Sequence, residues 1–180
     1  MFYSDVRSLI QSIQITGGAS PQVQNQNVGD GEFYGFEISF DTAVSARFDV
    51  GGNYTYTNRH INYAISAAIA PLQPAFRLTG VPKNKAFFYA AWRPVSQLTL
   101  TPSLEIASDR WSDKTTTPAQ AFPYTIVGAY TLVNFSAEYR LVENVRITAG
   151  AKNLFDSNYE LSWGMPQQGR TYYFKGRVTF

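Results

Sequence analysis

The chain has 180 residues, of which 16% are charged and 16% aromatic, and its formal net charge is +2 at pH 7. A typical soluble domain carries roughly 25% charged residues, so this sequence favours Tyr and Phe over a salt-rich surface. The small net charge and the lack of any Lys/Arg block exclude a nucleic-acid partner. Cysteine is absent, which excludes disulfides, a thiolate nucleophile and a Cys-based zinc site.

Membrane helices and export signals are also missing from the sequence. No run of about 18 apolar residues predicts a membrane-spanning helix. The first residues, MFYSDVRSLIQ, do not contain the basic region followed by an apolar run that an export signal requires. We therefore expect any export signal to lie outside this sequence.

Alternation of apolar and polar side chains dominates the sequence and predicts strands. Eight segments qualify, the first of them only weakly: 2–15, 34–41, 46–57, 85–92, 98–106, 129–141, 145–152 and 170–180. Residues 61–70 are the one helix-like exception. Pro102 lies within a predicted strand, and we expect a bulge or local distortion there because proline supplies no ladder donor.

The predicted connections alternate strictly between short and long. Short turns are expected at 41–45, 93–97 and 141–144, and long links at 16–31, 57–84, 108–128 and 154–169. Alternate connections of an antiparallel meander lie at the same end, so short turns mark one rim and long loops the other. Outer-membrane barrels are sorted in this way. A tilted strand of about ten residues spans roughly 23 Å, close to the ~25 Å apolar band of such barrels.

Two other all-β architectures are alternatives to a segment of a large barrel. A soluble antiparallel sandwich also alternates, with its apolar faces turned into a core. The positions of the aromatic rings favour a membrane barrel over the sandwich, because they resemble two aromatic girdles. The rings are Tyr54, Tyr56, Tyr172 and Tyr173 toward the long loops, and Trp92, Tyr139 and Phe180 toward the short turns. The third architecture is a self-contained eight-stranded outer-membrane barrel, porin-like, adhesin or hydrolase, which requires residues 2–15 to pair with the last strand.

The last 28 residues, NLFDSNYELSWGMPQQGRTYYFKGRVTF, resemble the C-terminal signature of TonB-dependent outer-membrane receptors. The segments NVGDGEFYGFE and GVPKNK are similar to other strand starts of that family. The positions that match the terminal signature are Asn153, Leu154, Phe155, Asp156, Tyr159, Gly164, Pro166, Gly169, Arg170 and Phe180.

The resemblance implies an all-β antiparallel meander of about eight transmembrane strands within a 22-stranded barrel. Residues 1–180 would be the C-terminal segment of that barrel, with the plug domain and signal peptide outside the sequence and Met1 an internal or truncated start. The whole receptor would take up a scarce nutrient, such as a ferric siderophore, across the bacterial outer membrane. TonB would supply energy through the plug, so this segment alone is not expected to transport.

The resemblance also implies partners: outer-membrane lipid, the remainder of the receptor, and the barrel-assembly machinery, which would recognise the last strand and its terminal Phe180. Within the terminal signature we expect turn and rim chemistry rather than ligand contact, with Asp156 pairing with Arg170 across the base of the loop.

Cations and rings in the long links are candidates for contact with an anionic chelate: Arg59, Arg77, Lys83, Arg110, Trp111, Lys114 and Trp163. His60 is the single histidine, and a hydrolase would need it as a base. No nucleophile motif accompanies it, so we expect no enzyme. We likewise expect no cofactor and no side-chain metal site.

Overall fold

The computed structural model describes residues 1–16, 22–63, 77–114 and 124–180. Every regular element within these ranges is a strand, and none of them contains a helix long and apolar enough to cross a membrane. The strands are β1 Phe2–Gln14, β2 Val23–Ser45, β3 Phe48–Tyr63, β4 Asn84–Val95, β5 Leu98–Ala107, β6 Arg110–Asp113, β7 Tyr124–Val127, β8 Tyr130–Val142, β9 Val145–Lys152, β10 Glu160–Ser162, β11 Met165–Pro166 and β12 Thr171–Val178.

Eight of these strands form one antiparallel meander in the order β1-β2-β3-β4-β5-β8-β9-β12. The other four form two small hairpins, β6 with β7 and β10 with β11, inside the long connections. The predicted all-β meander and each of its eight strands are therefore confirmed. β1 and β12 are the two edges, and they do not pair with each other anywhere in the described ranges. The sheet is open, so the self-contained barrel lacks the pairing that it requires.

The register of the ladders places most apolar side chains of the meander, from β2 onward, on one face; Phe87 and Leu132, both opposite Glu105, lie on the other. One row across the sheet runs from Leu100 to Ala137, Ala149 and Phe174, each opposite the next, and directly opposed residues share a face. Phe174 on this row is 73% exposed. Because no second sheet covers this face in the described residues, the arrangement is not that of a soluble sandwich.

Glycines and aromatic rings occupy opposing positions at several places in the ladders. Gly51 lies opposite Tyr89, and Gly150 lies opposite Tyr173. A Cβ atom on either glycine would lie 2.5 Å from the ring of its partner. Each ring thus packs directly on the backbone of a glycine, where any other residue would place a Cβ in its way. The ring supplies the packing that a strand loses at a glycine.

The three short connections are two-residue turns at 46–47, 96–97 and 143–144. The second residue of each turn accepts a backbone hydrogen bond from outside its own hairpin: from β4, from β8 and from the residue just after β12. These bonds join Arg93 N to Arg47 O, Arg140 N to Gln97 O and Thr179 N to Asn144 O, at 2.8, 2.8 and 2.9 Å. The predicted alternation of short turns at one rim and long connections at the other is confirmed.

Several boundaries differ from the sequence-based expectation. The turn expected at 41–45 is wrong, because β2 continues to Ser45. β2 also begins at Val23, within the link expected at 16–31, and residues 61–63 of the helix-like segment belong to β3. Residues 64–70 of that segment lie outside the described ranges.

Two further expectations concern strand geometry. The local distortion expected at Pro102 is confirmed, because the pairing of β5 with β4 lapses at Thr101 and Pro102. It is not a bulge at the proline, since the register is the same on both sides of the lapse and β8 pairs with β5 continuously past it. The last strand ends at Val178 rather than at Phe180.

Candidate functional site

A cavity of about 570 Å³ lies at the rim of the long connections, between the outer part of β3, the segment 77–83 and the β6–β7 hairpin. We call it the rim cleft. It brings together five of the seven predicted contact residues: Arg59, Arg77, Lys83, Arg110 and Trp111. Because these residues come from three separate parts of the chain, only the fold makes them neighbours.

Arg59 fixes the segment 77–83 against β3. Its Nη2 atom donates to the carbonyl oxygens of Leu78, Thr79 and Val81, each at 3.3 Å. Partial burial lowers the pKa of the Arg59 guanidinium, but arginine stays charged at any physiological pH. On the other side, Gly80 N donates to Trp111 O at 2.9 Å. The segment is thus held from both walls, so the cleft has a defined shape.

Arg77 and Lys83 present their cations on aromatic rings. The Arg77 guanidinium lies 4.8 Å from the centroid of Trp111, and Lys83 Nζ lies 5.6 Å from the centroid of Tyr56. A cation at this distance over a ring face is attracted by the ring electrons, and the contact does not use its N–H donors. Both cations remain exposed. The stacked pair of Arg77 and Trp111 can therefore offer a positive charge and an apolar surface to one anionic ligand.

Arg110 lines the same cleft but is engaged within the protein. It is 5% exposed, its Nε atom donates to Leu161 O at 2.9 Å, and its Nη2 atom donates to Glu160 O. Its guanidinium also lies 5.3 Å from the centroid of Tyr130. These contacts fasten the β10–β11 hairpin to the β6–β7 hairpin, so Arg110 supports the wall of the cleft.

The remaining two contact candidates lie outside the rim cleft. Lys114 Nζ is 5.9 Å from the ring centroid of Trp163, and Trp163 N donates to Ser112 Oγ at 3.0 Å. His60 lines the cleft, and its Nε2 atom lies 2.9 Å from Asn62 Oδ1. Within the described ranges, no group of three His, Asp or Glu side chains is placed to hold a metal ion.

The terminal signature builds a loop around the side chain of Asn153, which is only 4% exposed. Its Oδ1 atom accepts from Ser157 N at 2.9 Å, and its Nδ2 atom donates to Ser157 O at 2.9 Å and to Gln168 O at 3.4 Å. Asn153 has a φ of 50°, a left-handed conformation that asparagine tolerates better than most residues. One side chain therefore joins both ends of the loop.

Asp156 and Arg170 meet at the base of this loop, although not as an ion pair. Asp156 Oδ1 accepts from the backbone N–H of Arg170 at 2.7 Å, and the Arg170 guanidinium lies 3.5 Å from Leu154 O. A Cβ atom on Gly169 would lie 2.5 Å from Asp156 Oδ1. Glycine at this position is what lets the carboxylate reach the amide.

The other signature residues complete the loop. Leu154 N donates to Val133 O at 2.8 Å, and the ring centroid of Tyr159 lies 4.8 Å from that of Tyr130. Gly164 has a φ of 73° in the β10–β11 turn, and Pro166 ends that hairpin. Phe155 is 73% exposed.

Sequence reasoning missed several residues of both regions. Thr57, Leu78, Asp109 and Ile126 line the rim cleft. Asn134 Oδ1 accepts from Asn153 N at 3.0 Å. Asn134 is simply a polar residue at a polar position of an alternating strand, so nothing in the local pattern marks it.

An open antiparallel wall with one continuous apolar face, short turns at one rim and long connections at the other is a segment of an outer-membrane β-barrel. The family described as "TonB dependent receptor-like, beta-barrel" matches residues 1–154. The chain belongs to this family of TonB-dependent receptors.

Individual relatives agree with this assignment. The ferrichrome outer membrane transporter/phage receptor of Escherichia coli K12 is 30% identical over 168 residues, covering 83% of this chain and 21% of the relative. The siderophore receptor PiuA from Acinetobacter baumannii superposes with a TM-score of 0.75 at 16% identity, over 98% of this chain and 25% of that one. The closed form of the ferric-catecholate import receptor Fiu from E. coli K12 superposes with a TM-score of 0.72 at 17% identity, over 99% of this chain and 24% of that one.

Three consequences follow from these comparisons. The chain is an outer-membrane protein of bacteria, so its continuous apolar face is the lipid-facing one and its polar face is turned to the lumen. The family and its relatives are receptors and transporters, which confirms the expectation that this is not an enzyme. The chain spans about a fifth to a quarter of the length of these relatives.

Proposed function

We propose that residues 1–180 are the C-terminal segment of a 22-stranded receptor barrel that takes up a ferric siderophore by TonB-coupled transport. Relatives of about four times this length, two of them described as siderophore or ferric-catecholate receptors, support the proposal. So do the two edges of the sheet, which have no partner strand within the described residues and suit a wall that continues into further strands. The plug, the contact with TonB and the other strands come from the rest of the receptor, so this segment alone does not transport.

The proposed class of ligand, an anionic chelate, is inferred from the residues of the rim cleft. Arg77 and Lys83 are exposed cations stacked on rings, and charge-assisted bonds from such groups are the stronger kind. The cavity of about 570 Å³ falls within the range of roughly 300–1,000 Å³ that is common for small-molecule sites. The described residues offer no side-chain metal site, so we propose that iron arrives inside an anionic chelate.

The same proposal assigns a role to the last strand. The barrel-assembly machinery would recognise β12 and Phe180, which follows that strand by two residues. Outer-membrane lipid would contact the apolar face, on which Phe174 and Tyr172 are 73% and 70% exposed.

Uptake of radioactive iron by cells that carry the whole receptor tests the ligand site. Arg77→Ala removes the cation and Trp111→Ala removes the ring beneath it. We expect each to raise the half-saturating concentration of the ferric siderophore about tenfold, since a lost charge-assisted bond or cation–π contact is worth roughly 1.5 kcal/mol.

Arg7→Ala is the matched control, because Arg7 is another exposed arginine, with 82% of its side chain accessible, in β1 rather than in the cleft. We expect this variant to take up iron like the parent. Unchanged half-saturation in Arg77→Ala and Trp111→Ala, at equal receptor abundance, would remove the rim cleft from ligand recognition.

A further inference from the structure

The β6–β7 hairpin turns two different faces to its surroundings, because neighbouring residues of a strand point to opposite sides. Trp111 of β6 lies directly opposite Ile126 of β7, and both line the rim cleft. Arg110 and Ser112, on either side of Trp111, are each 5% exposed, and Val127, opposite Arg110, is 4% exposed. One face of the hairpin thus forms a wall of the cleft, while the other face is packed against protein.

The β10–β11 hairpin covers the buried face of β6 and is held there through its backbone groups. Arg110 Nε donates to Leu161 O at 2.9 Å, and Arg110 Nη2 donates to Glu160 O. Ser112 Oγ accepts from Trp163 N at 3.0 Å. Because all three bonds use the backbone of the hairpin rather than its side chains, they fix the position of the hairpin against β6.

The Arg110 guanidinium is suited to this contact by its shape. Within the described residues it forms no ion pair with a carboxylate, and its Nε and Nη2 atoms donate to the carbonyl oxygens of two consecutive residues. A planar fork of fixed N–H donors reaches two acceptors at once, whereas a lysine ammonium is a point charge on a flexible stem. Lysine at this position would therefore keep the charge but not hold both carbonyl groups.

We propose that Arg110 is a positioning residue for ligand recognition in the rim cleft. It acts through Trp111, the next residue of β6, whose carbonyl oxygen accepts from Gly80 N at 2.9 Å and whose ring lies 4.8 Å from the Arg77 guanidinium. Because the β10–β11 hairpin is fastened to the back of β6, this stacked pair has one defined place in the wall of the cleft. The inference rests on the proposed function, since it takes the rim cleft as the site of the anionic chelate.

Iron uptake by cells that carry the whole receptor tests this role. The probe is the radioactive ferric chelate that the parent takes up best among catecholate, hydroxamate and hydroxycarboxylate chelates. At equal receptor abundance, we expect Arg110→Ala to raise the half-saturating concentration about fivefold, because the cleft loses its preorganised shape. The maximal rate should stay unchanged, since the rest of the receptor is intact. Arg110→Lys should behave like Arg110→Ala, and recovery of the parent value by lysine would mean that Arg110 acts by its charge, which overturns the inference.

A double-mutant cycle with Trp111 separates positioning from a general loss of stability. In a Trp111→Ala background, Arg110→Ala should change the half-saturating concentration by less than about twofold, because the group that it positions is already gone. Ser112→Ala removes the other bond to the hairpin and should show the same pattern with a smaller effect, also where Arg110→Ala does not reach the outer membrane. Arg140→Ala is the matched control and should resemble the parent, because Arg140 also donates to a backbone carbonyl, Ser96 O at 3.2 Å, but at the opposite rim.

The outcomes distinguish this inference from the proposed function. The positioning role is overturned if the effect of Arg110→Ala persists in full in the Trp111→Ala background. It is also overturned if Trp111→Ala raises the half-saturating concentration while Arg110→Ala and Ser112→Ala do not; in both cases the proposed function is left intact. Unchanged half-saturation in Trp111→Ala removes the rim cleft from ligand recognition, and this inference with it. A parent receptor that takes up none of the chelates overturns the proposed function itself.

Discussion

Asn153 joins both ends of the terminal loop, and its replacement by alanine should destabilise the barrel by about 3 kcal/mol. Two hydrogen bonds of 2.9 Å and one of 3.4 Å would be lost from a buried side chain, and each is worth about 1 kcal/mol net, with the longest contributing least. The φ of 50° adds about 1 kcal/mol for alanine in the left-handed region.

Glycine at the same position separates the two contributions. Asn153→Gly loses the same hydrogen bonds but adopts a positive φ without steric cost, so we expect it to cost about 1 kcal/mol less than alanine. Asn158→Ala is the control, because Asn158 is exposed in the same loop and its side chain makes no hydrogen bond within the described residues.

Equilibrium urea unfolding of the receptor in lipid vesicles, followed by tryptophan fluorescence, measures these free energies. The expected order of stability is Asn158→Ala close to the parent, then Asn153→Gly, then Asn153→Ala. A loss below about 1 kcal/mol for Asn153→Ala would refute the hydrogen-bond argument. Equal losses for glycine and alanine would refute the backbone argument.

Two glycine substitutions test close approaches in the same assay. Gly169→Ala places a Cβ 2.5 Å from Asp156 Oδ1 and should lower the free energy of unfolding by about 2 kcal/mol, because it breaks the bond to the Arg170 amide. Gly128→Ala is the control and should leave the stability unchanged, because a Cβ there meets nothing within 4 Å. Similar losses of stability for both variants would contradict this reasoning. Gly51→Ala collides with the Tyr89 ring at 2.5 Å and should lose at least 2 kcal/mol by overpacking. Because Tyr89→Ala also loses the bond to Asp41, the test is a double-mutant cycle: Gly51→Ala should cost much less in the Tyr89→Ala background than in the parent. An equal cost in both backgrounds would show that the ring is not the obstacle.

Alternation and connection lengths made the main sheet predictable. Seven of the eight strands have side chains that clearly repeat with period two, and the first does so only weakly; the direction of each strand follows from the sorting of short and long links. The outer part of β2 was missed because QNQNVGDG is polar and rich in glycine, which is typical of a loop. Those residues are strand because they pair with β1 and the outer part of β3, and pairing partners far away in sequence leave no local signal.

The site was predictable by residue type but not by position. Arginine, lysine and tryptophan in long links marked the candidates, yet nothing local indicated that Arg59, Arg77 and Trp111 would share a cleft while Trp163 would not. Arg110 looked like the other loop cations, and only the carbonyl oxygens of Glu160 and Leu161 give it a supporting role. Such roles depend on the docking of two hairpins that the sequence pattern did not reveal.

The central claim is that the apolar face of the sheet contacts lipid while the opposite face lines the lumen. Spin labels at single cysteines along β8, from residue 131 to 141, test it directly, because this chain contains no native cysteine. In outer-membrane vesicles, the account predicts alternation with period two: accessibility to oxygen peaks at 133, 135, 137 and 139, and accessibility to a water-soluble nickel chelate peaks at 134, 136 and 138. Equal access of the nickel chelate to both sets of positions would contradict it.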